Sequence, residues 1–179
     1  LLSFVSYLVE GAVGDWSALY LFEDKGIVIQ EAVMGVMLFN GTMCIGRLLG
    51  NTIGKHVTSK QVVVGGYLLG AIAMALIVFL PGHASMYTYL LLGISLAMVV
   101  PNLFSAMGEQ NVIPMTQAVA TSTMLGYMGI LMGPALIGFI AHGTSLTIAF
   151  IVLTVLLVIS AGIGKYAYYL MNKNCGVEE

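Results

Sequence analysis

The chain has 179 residues and a formal net charge of −2, with six basic and eight acidic side chains. Charged residues make up 8% of it, against roughly 25% in an ordinary soluble domain, and mean hydropathy is +1.00. That balance argues against a soluble globular domain. With no basic cluster to hold phosphates, nucleic acid is not expected as a partner.

Cys44 and Cys175 are far apart and outside any CxxC pair, so they read as free thiols rather than a disulfide framework. His56, His83 and His142 lack metal-ligand spacing. No cofactor is implied. The chain opens at Leu1 inside an apolar run, without an initiator Met, a basic leader or a cleavage site, and is expected to be a fragment.

A helix needs about 20 mainly apolar residues to cross the hydrocarbon core. Six stretches meet that need: Leu1–Phe22, Ala32–Gly54, Val62–Leu80, Met86–Met107, Ala118–Ala141 and Leu146–Leu170. Transmembrane strands would be about 9–11 residues long with alternating polarity, and no such alternation occurs. The pattern predicts an all-α membrane protein with six transmembrane helices in a single bundle over residues 1–179. Arg47, Lys55, Lys60, Lys165 and Lys173 fall on one side and Lys25 on the other. By the positive-inside rule both termini are then cytoplasmic.

The first span, "YLVEGAVGDWSALYLF", carries Glu10 and Asp15. Glu10 is expected near mid-membrane, with Asp15 about 7–8 Å further out. Ser3, Ser6, Glu10 and Ser17 share one stripe of this helix. A charge at the centre of a span costs on the order of 2.5–3.5 kcal/mol and usually faces a cavity or a partner. Glu10 therefore reads as a substrate or proton site. The competing reading is a protonated Glu bonded to a neighbouring helix. Asp15 could sit at the wet end of the helix, and Trp16 could be an interface anchor.

Span 2 presents Asn40, Cys44, Arg47 and Asn51 on one stripe. Arg47 either snorkels or enters an ion pair. Spans 2 and 5 share a glycine spacing: Gly46, Gly50 and Gly54 in one, Gly126, Gly129, Gly133 and Gly138 in the other, with Pro134 after the third. Such stripes let helix backbones approach closely in lipid. Each glycine-rich span is the second member of a group of three, which suits a 3+3 inverted repeat. Span 4 carries Ser95, Asn102, Ser105 and Glu109, with Pro101 positioned to kink it. Span 5 adds Thr123 and Tyr127. Single Asn or Tyr residues serve as glue between helices, but polar stripes on several spans point to a shared aqueous cavity. Enzyme chemistry finds little support. "GISLA" around Ser95 lacks a nucleophile motif, and His83 and His142 fall in connections.

With these residues placed, the chain resembles the carboxy-terminal six-helix half of a major facilitator superfamily (MFS) transporter. "GRLLGNTIGKHVTSK" occupies the place of the signature connection G-x-x-x-D-R-x-G-R-R/K. Gly50 matches, Lys55 stands for the Arg, Gly54 takes the Asp position and Val57 the later Gly. "EGAVGDWSALYLF" is similar to the E-G-x-x-x-D-W start of this half in bacterial members related to fucose permease. "GILMGPALIG" resembles in form the Gly-Pro motif of antiporters.

The resemblance implies a partner half, the absent amino-terminal six helices, rocking against this one within the bacterial inner membrane. Spans 1 and 4 would line the cavity, spans 2 and 5 would meet the other half, and spans 3 and 6 would face lipid. The expectation is secondary transport of a small polar solute, sugar-like or a metabolite, coupled to protons through Glu10. Asp15, Trp16, Asn40, Asn102 and Tyr127 are the further solute contacts. Gly46, Arg47, Gly50 and Lys55 form the signature connection, and Gly129, Gly133 and Pro134 serve helix packing. The alternative is a six-helix membrane scaffold or partner-binding subunit without transport.

Overall fold

The structure, a computed structural model, describes the backbone of residues 1–50, 57–109 and 113–174, with the side chains of all but 109 and 172–174 of these. Seven helices and no strand occur among the described residues: α1 (Leu2–Glu23), α2 (Ile29–Leu48), α3 (Ser59–Phe79), α4 (Gly82–Ala97), α5 (Val99–Glu109), α6 (Met115–Gly143) and α7 (Leu146–Asn174). The protein is an all-α integral membrane protein. Its buried residues form one cluster to which every helix contributes.

Five stretches are long and apolar enough to cross a membrane: α2, α3, α4 with α5, α6 and α7. Six spans are predicted and five qualify among the described residues; α1, the sixth, falls short. At 22 residues α1 is long enough for a core about 30 Å thick, but Glu10 and Asp15 depress its hydropathy. It is sheltered instead, flanked by α2, α6 and α7.

The helix boundaries follow local chemistry. Thr58 and Gln61 form a reciprocal capping box at the start of α3, and Pro81 and Pro114 occupy the N-cap positions of α4 and α6. Between α1 and α2 the chain turns at Gly26 with φ +67°, a left-handed conformation open to glycine. Lys25 beside it donates from Nζ to the carbonyls of Val78 (2.6 Å) and Leu80 (2.9 Å), closing the C-terminal end of α3. The same ammonium lies 5.4 Å from the Tyr20 ring centre. Burial lowers its pKa, and Asp24 opposes that shift.

The two helix-borne prolines act differently. Pro101 has no N–H for the Ala97 carbonyl and its ring crowds that oxygen, and the span divides at Met98 into α4 and α5. Asn102 Nδ2 donates to the Met98 carbonyl at 2.8 Å across the break. Pro134 instead lies inside a continuous α6. It strips the Ile130 carbonyl of its helical partner, and that oxygen abuts Gly11 of α1, where an added Cβ would lie 2.7 Å away.

The largest interfaces are α1 with α6, α3 with α7, and α2 with α4. Exchanging α1 with α4–α5, α2 with α6 and α3 with α7 carries the first pair onto the third and the second onto itself. That is the relation a 3+3 inverted repeat requires. Glycines create both related seams. In one, Gly129 meets the Phe4 carbonyl and Gly133 lies 2.5 Å, measured to an added Cβ, from the Leu8 carbonyl. In the other, Gly93 meets the Phe39 carbonyl, and Gly46 and Gly50 receive Ala97 and Met98 at the α4–α5 break.

Replacing Gly129 by Val should force α1 away from α6 and cost about 1–3 kcal/mol by overpacking. Gly65→Ala, with nothing within 4 Å of its added Cβ, should be neutral or stabilise by up to about 1 kcal/mol. Thermal unfolding of the detergent-solubilised protein would compare the two.

Candidate functional site

The seam between α1 and α6 also carries the polar groups of the first span. A serine hydroxyl left unpaired in an apolar interior is costly. Ser3 and Ser122 share a hydrogen bond of 2.6 Å, linking α1 to α6. Tyr67 OH on α3 donates to the Leu2 carbonyl at 2.8 Å. A phenol has one proton to give, so Ser6 Oγ, 2.8 Å away, donates to Tyr67. Ser3, Ser6 and Ser17 are all buried.

This corrects the expectation that the Ser3–Ser6–Glu10–Ser17 stripe faces water. It faces inward, onto neighbouring helices of the same bundle, because serine is small enough to pack there, and Ser3 and Ser6 find hydroxyl partners. Glu10 alone of the four retains access, with 12% of its side chain exposed.

Arg47 of α2 meets Glu10 across the α1–α2 contact. Its Nη2 lies 3.4 Å from Oε1 and 3.5 Å from Oε2. Of the two readings of Arg47, snorkelling or pairing, the structure shows the ion pair. Sequence reasoning did not name the partner. Glu10 lies about 20 Å along α1 from Glu23, and Arg47 about 27 Å along α2 from Ile29, at 1.5 Å per residue. The two backbones are thus a turn apart in depth, and the long arginine side chain spans the difference. The signal was the one cation of span 2 beside a span that carries two carboxylates, Glu10 and Asp15.

Aromatic groups border the pair. Tyr7 stacks on Tyr127 of α6 with ring centres 6.5 Å apart and planes at 11°, and its ring fills the hollow over Gly126. Tyr7 lies within electrostatic reach of Glu10, Arg47 and Tyr127. Tyr127 is exposed, as are Asn40 and Asp15. Asn40 Nδ2 bonds its own helix at the Val36 carbonyl, 3.0 Å. α2 and α6 are the least buried of the apolar spans, so Asn40, Cys44, Arg47 and Tyr127 lie on an open face. Asn102, half-buried on α5, spends a donor on the helix break described above.

Trp16 occupies a different setting. Its Nε1 donates to the Pro134 carbonyl at 2.9 Å, and its ring lies over Gly138, where an added Cβ would be 2.9 Å away. Lys55 and Asn51 lie outside the described residues, as does the Glu109 side chain. Two cavities flank the seam. One, of about 550 Å³, is largely apolar and lies between α1, α5, α6 and α7, near Leu103, Met107 and Gln117. The other, of about 480 Å³, holds Trp16, Glu23, Asp24 and His142. Glu10 and Arg47 line neither.

Removing the indole donor by Trp16→Phe should lower stability by about 0.5–1.5 kcal/mol, read as a fall in unfolding midpoint. A double-mutant cycle of Glu10→Gln with Arg47→Met should give a coupling energy of about 0.2–1 kcal/mol, because the pair is long and half-open.

No protein-family model matches the chain. Over 150 residues, 83% of this chain, it is 41% identical to an uncharacterized MFS-type transporter of Yersinia pestis, covering 39% of that protein. It is 29% identical over 147 residues to the membrane protein MosC of Rhizobium meliloti, covering 82% of this chain and 36% of the relative. It is 26% identical over 155 residues to the fosmidomycin resistance protein of Escherichia coli, at 84% and 37%. The chain therefore spans well under half the length of these curated relatives. Taken with the all-helical membrane bundle and its repeat, these likenesses show that the chain belongs to the major facilitator superfamily.

Proposed function

We propose that the chain is the carboxy-terminal half of a secondary transporter that moves a small polar solute by alternating access, with Glu10 carrying a coupling proton. The observation that supports this best is the Glu10–Arg47 pair, which joins α1 to the apolar span α2 and is 45% exposed on the arginine side. Ionisable groups inside a membrane face an aqueous path or a partner, and they mark transport and proton pathways. The open face that bears Arg47 and Tyr127 would meet the amino-terminal half, and the solute would lie between the two. Asp15, Asn40, Asn102 and Tyr127 are the solute contacts in this reading. Trp16, tied to Pro134, holds α1 and serves the solute through position. The inner membrane with both termini cytoplasmic completes the assignment, since five of six basic residues fall on that side.

Relatives named as transporters, and one named for drug resistance, favour a small molecule as cargo. Similarity of "EGAVGDW" to fucose-permease-related members favours a sugar-like compound or metabolite. A second reading, a non-transporting scaffold, draws on the buried serines, which are used as glue rather than as a water-lined stripe.

Single cysteines at positions 10 and 102, on a background lacking Cys44 and Cys175, separate the readings. In the full-length protein a transporter leaves both reactive toward a membrane-impermeant thiol reagent, whereas a scaffold buries both. In the same protein, Glu10→Gln should flatten the pH dependence of uptake. An unchanged pH profile would remove Glu10 from the coupling role.

A further inference from the structure

We propose that Ser17, Tyr20 and Tyr89 hold one bound water molecule between α1 and α4. The site is separate from the Glu10–Arg47 pair and does not depend on the transport reading.

All three residues are fully buried. Ser17 and Tyr20 stand three positions apart on α1 and so share a face. Tyr89 comes from α4, and its ring enters beside Gly35 of α2, where an added Cβ would lie 3.5 Å from Cδ2. Ser17 lies about 9 Å from the end of α1, and Tyr89 about 10 Å from the start of α4, at 1.5 Å per residue. Those two helix ends are on the same side of the bundle, so the hydroxyls meet at one depth.

Hydrogen bonding sets the three apart. Among the described residues none of these hydroxyls has a hydrogen-bond partner. Ser17 neighbours the Tyr89 hydroxyl, Thr147 neighbours that of Tyr20, and the two phenols lie within electrostatic reach of each other. Each of these approaches misses bonding distance or angle, and Thr147 gives its own proton to Asp24 at 3.4 Å. Elsewhere the bundle pairs such groups. Tyr67 donates to the Leu2 carbonyl and accepts from Ser6, and Ser85 donates to the Ile77 carbonyl. Thr42 and Thr154 return their protons to the carbonyl four residues back, a bond that Ser17 does not make to Val13.

Rotation does not relieve the phenols. A phenol oxygen lies on the axis about which its ring turns, so a ring flip leaves it in place. Tyr20 is clamped besides, stacked on Phe150 with ring centres 4.3 Å apart and with Lys25 Nζ 5.4 Å from its own centre. Buried polar groups left without a protein partner call for an ordered water or an ion. Lys25 and Asp24, both near Tyr20, offset each other in charge, which favours a neutral ligand. A buried water makes about three hydrogen bonds, and three hydroxyls converge here. The water accepts a proton from each phenol and donates one of its own to Ser17. α1 and α4, related by the repeat, otherwise touch only slightly, so the water is a polar joint between them.

The test is X-ray radiolytic labelling of the full-length protein with peptide mass analysis, because radiolysis makes hydroxyl radicals from bound water on the spot. Tyr20 and Tyr89 should be oxidised, while Tyr67, equally buried but bonded to protein, should stay unlabelled. Hydroxyl radicals made in bulk by peroxide photolysis should spare all three. Combining Ser17→Ala with Tyr89→Phe, which removes two of the three hydroxyls, should abolish the label at Tyr20. Should that variant fail to fold, the contrast between Tyr20 and Tyr67 in the unaltered protein decides alone. The proposal is overturned if Tyr20 and Tyr89 stay unlabelled, or if Tyr67 labels as strongly. Oxidation by bulk radicals would equally overturn it, by showing a solvent path in place of a held water, as would a Tyr20 label that survives the double substitution.

Discussion

Backbone-to-backbone contact between α1 and α6 is the constraint on which the rest of this half depends. In lipid no hydrophobic force draws two apolar helices together, so close approach and its dispersion gain must serve instead. Carbonyls of Phe4 and Leu8 lie where the side chains of Gly129 and Gly133 would be. The Ile130 carbonyl, released by Pro134, lies where the side chain of Gly11 would be. Because α1 is held this closely, it can bring serines inward onto α3 and α6, and it can hold a carboxylate within a mainly apolar helix. The helix least suited to lipid by composition is thus sheltered by α2, α6 and α7.

The related seam between α2 and α4 uses the same device with a different outcome. There Gly46 and Gly50, at the end of α2 and just beyond it, meet residues flanking the α4–α5 break, so this end of the helix rests against an irregular part of the bundle. Gly46 and Gly50 have a packing role that motif comparison alone does not convey.

Much of this was legible from residue order. The long uncharged runs yielded α3, α6 and α7 to within a few residues, since twenty apolar residues in succession leave few alternatives in a membrane. Pro101 marked the break between α4 and α5, because a missing N–H acts locally. What resisted was pairing across helices. The serine stripe of α1 suggested a wet face by its polarity, but a hydroxyl is equally satisfied by Tyr67 or Ser122, and periodicity alone does not distinguish the two. Glu10 and Arg47 are 37 residues apart, and equal-rise depth arithmetic sets them on different turns. Only the length of the arginine side chain and the closeness of α1 to α2 bring them into contact.

The bond from Trp16 to Pro134 has a consequence for alignment. Glycines four residues apart, facing carbonyls four residues apart, make a seam that repeats itself after about one helical turn. Gly129 on Phe4 and Gly133 on Leu8 are near-equivalent steps of a ratchet, and sliding α1 by one step would set Gly133 against Phe4. Packing alone therefore leaves the register nearly degenerate. An indole with one donor, matched to one carbonyl and one hollow over Gly138, has no equivalent a turn away. The chain's single tryptophan acts as a key, selecting one tooth of an otherwise uniform rack.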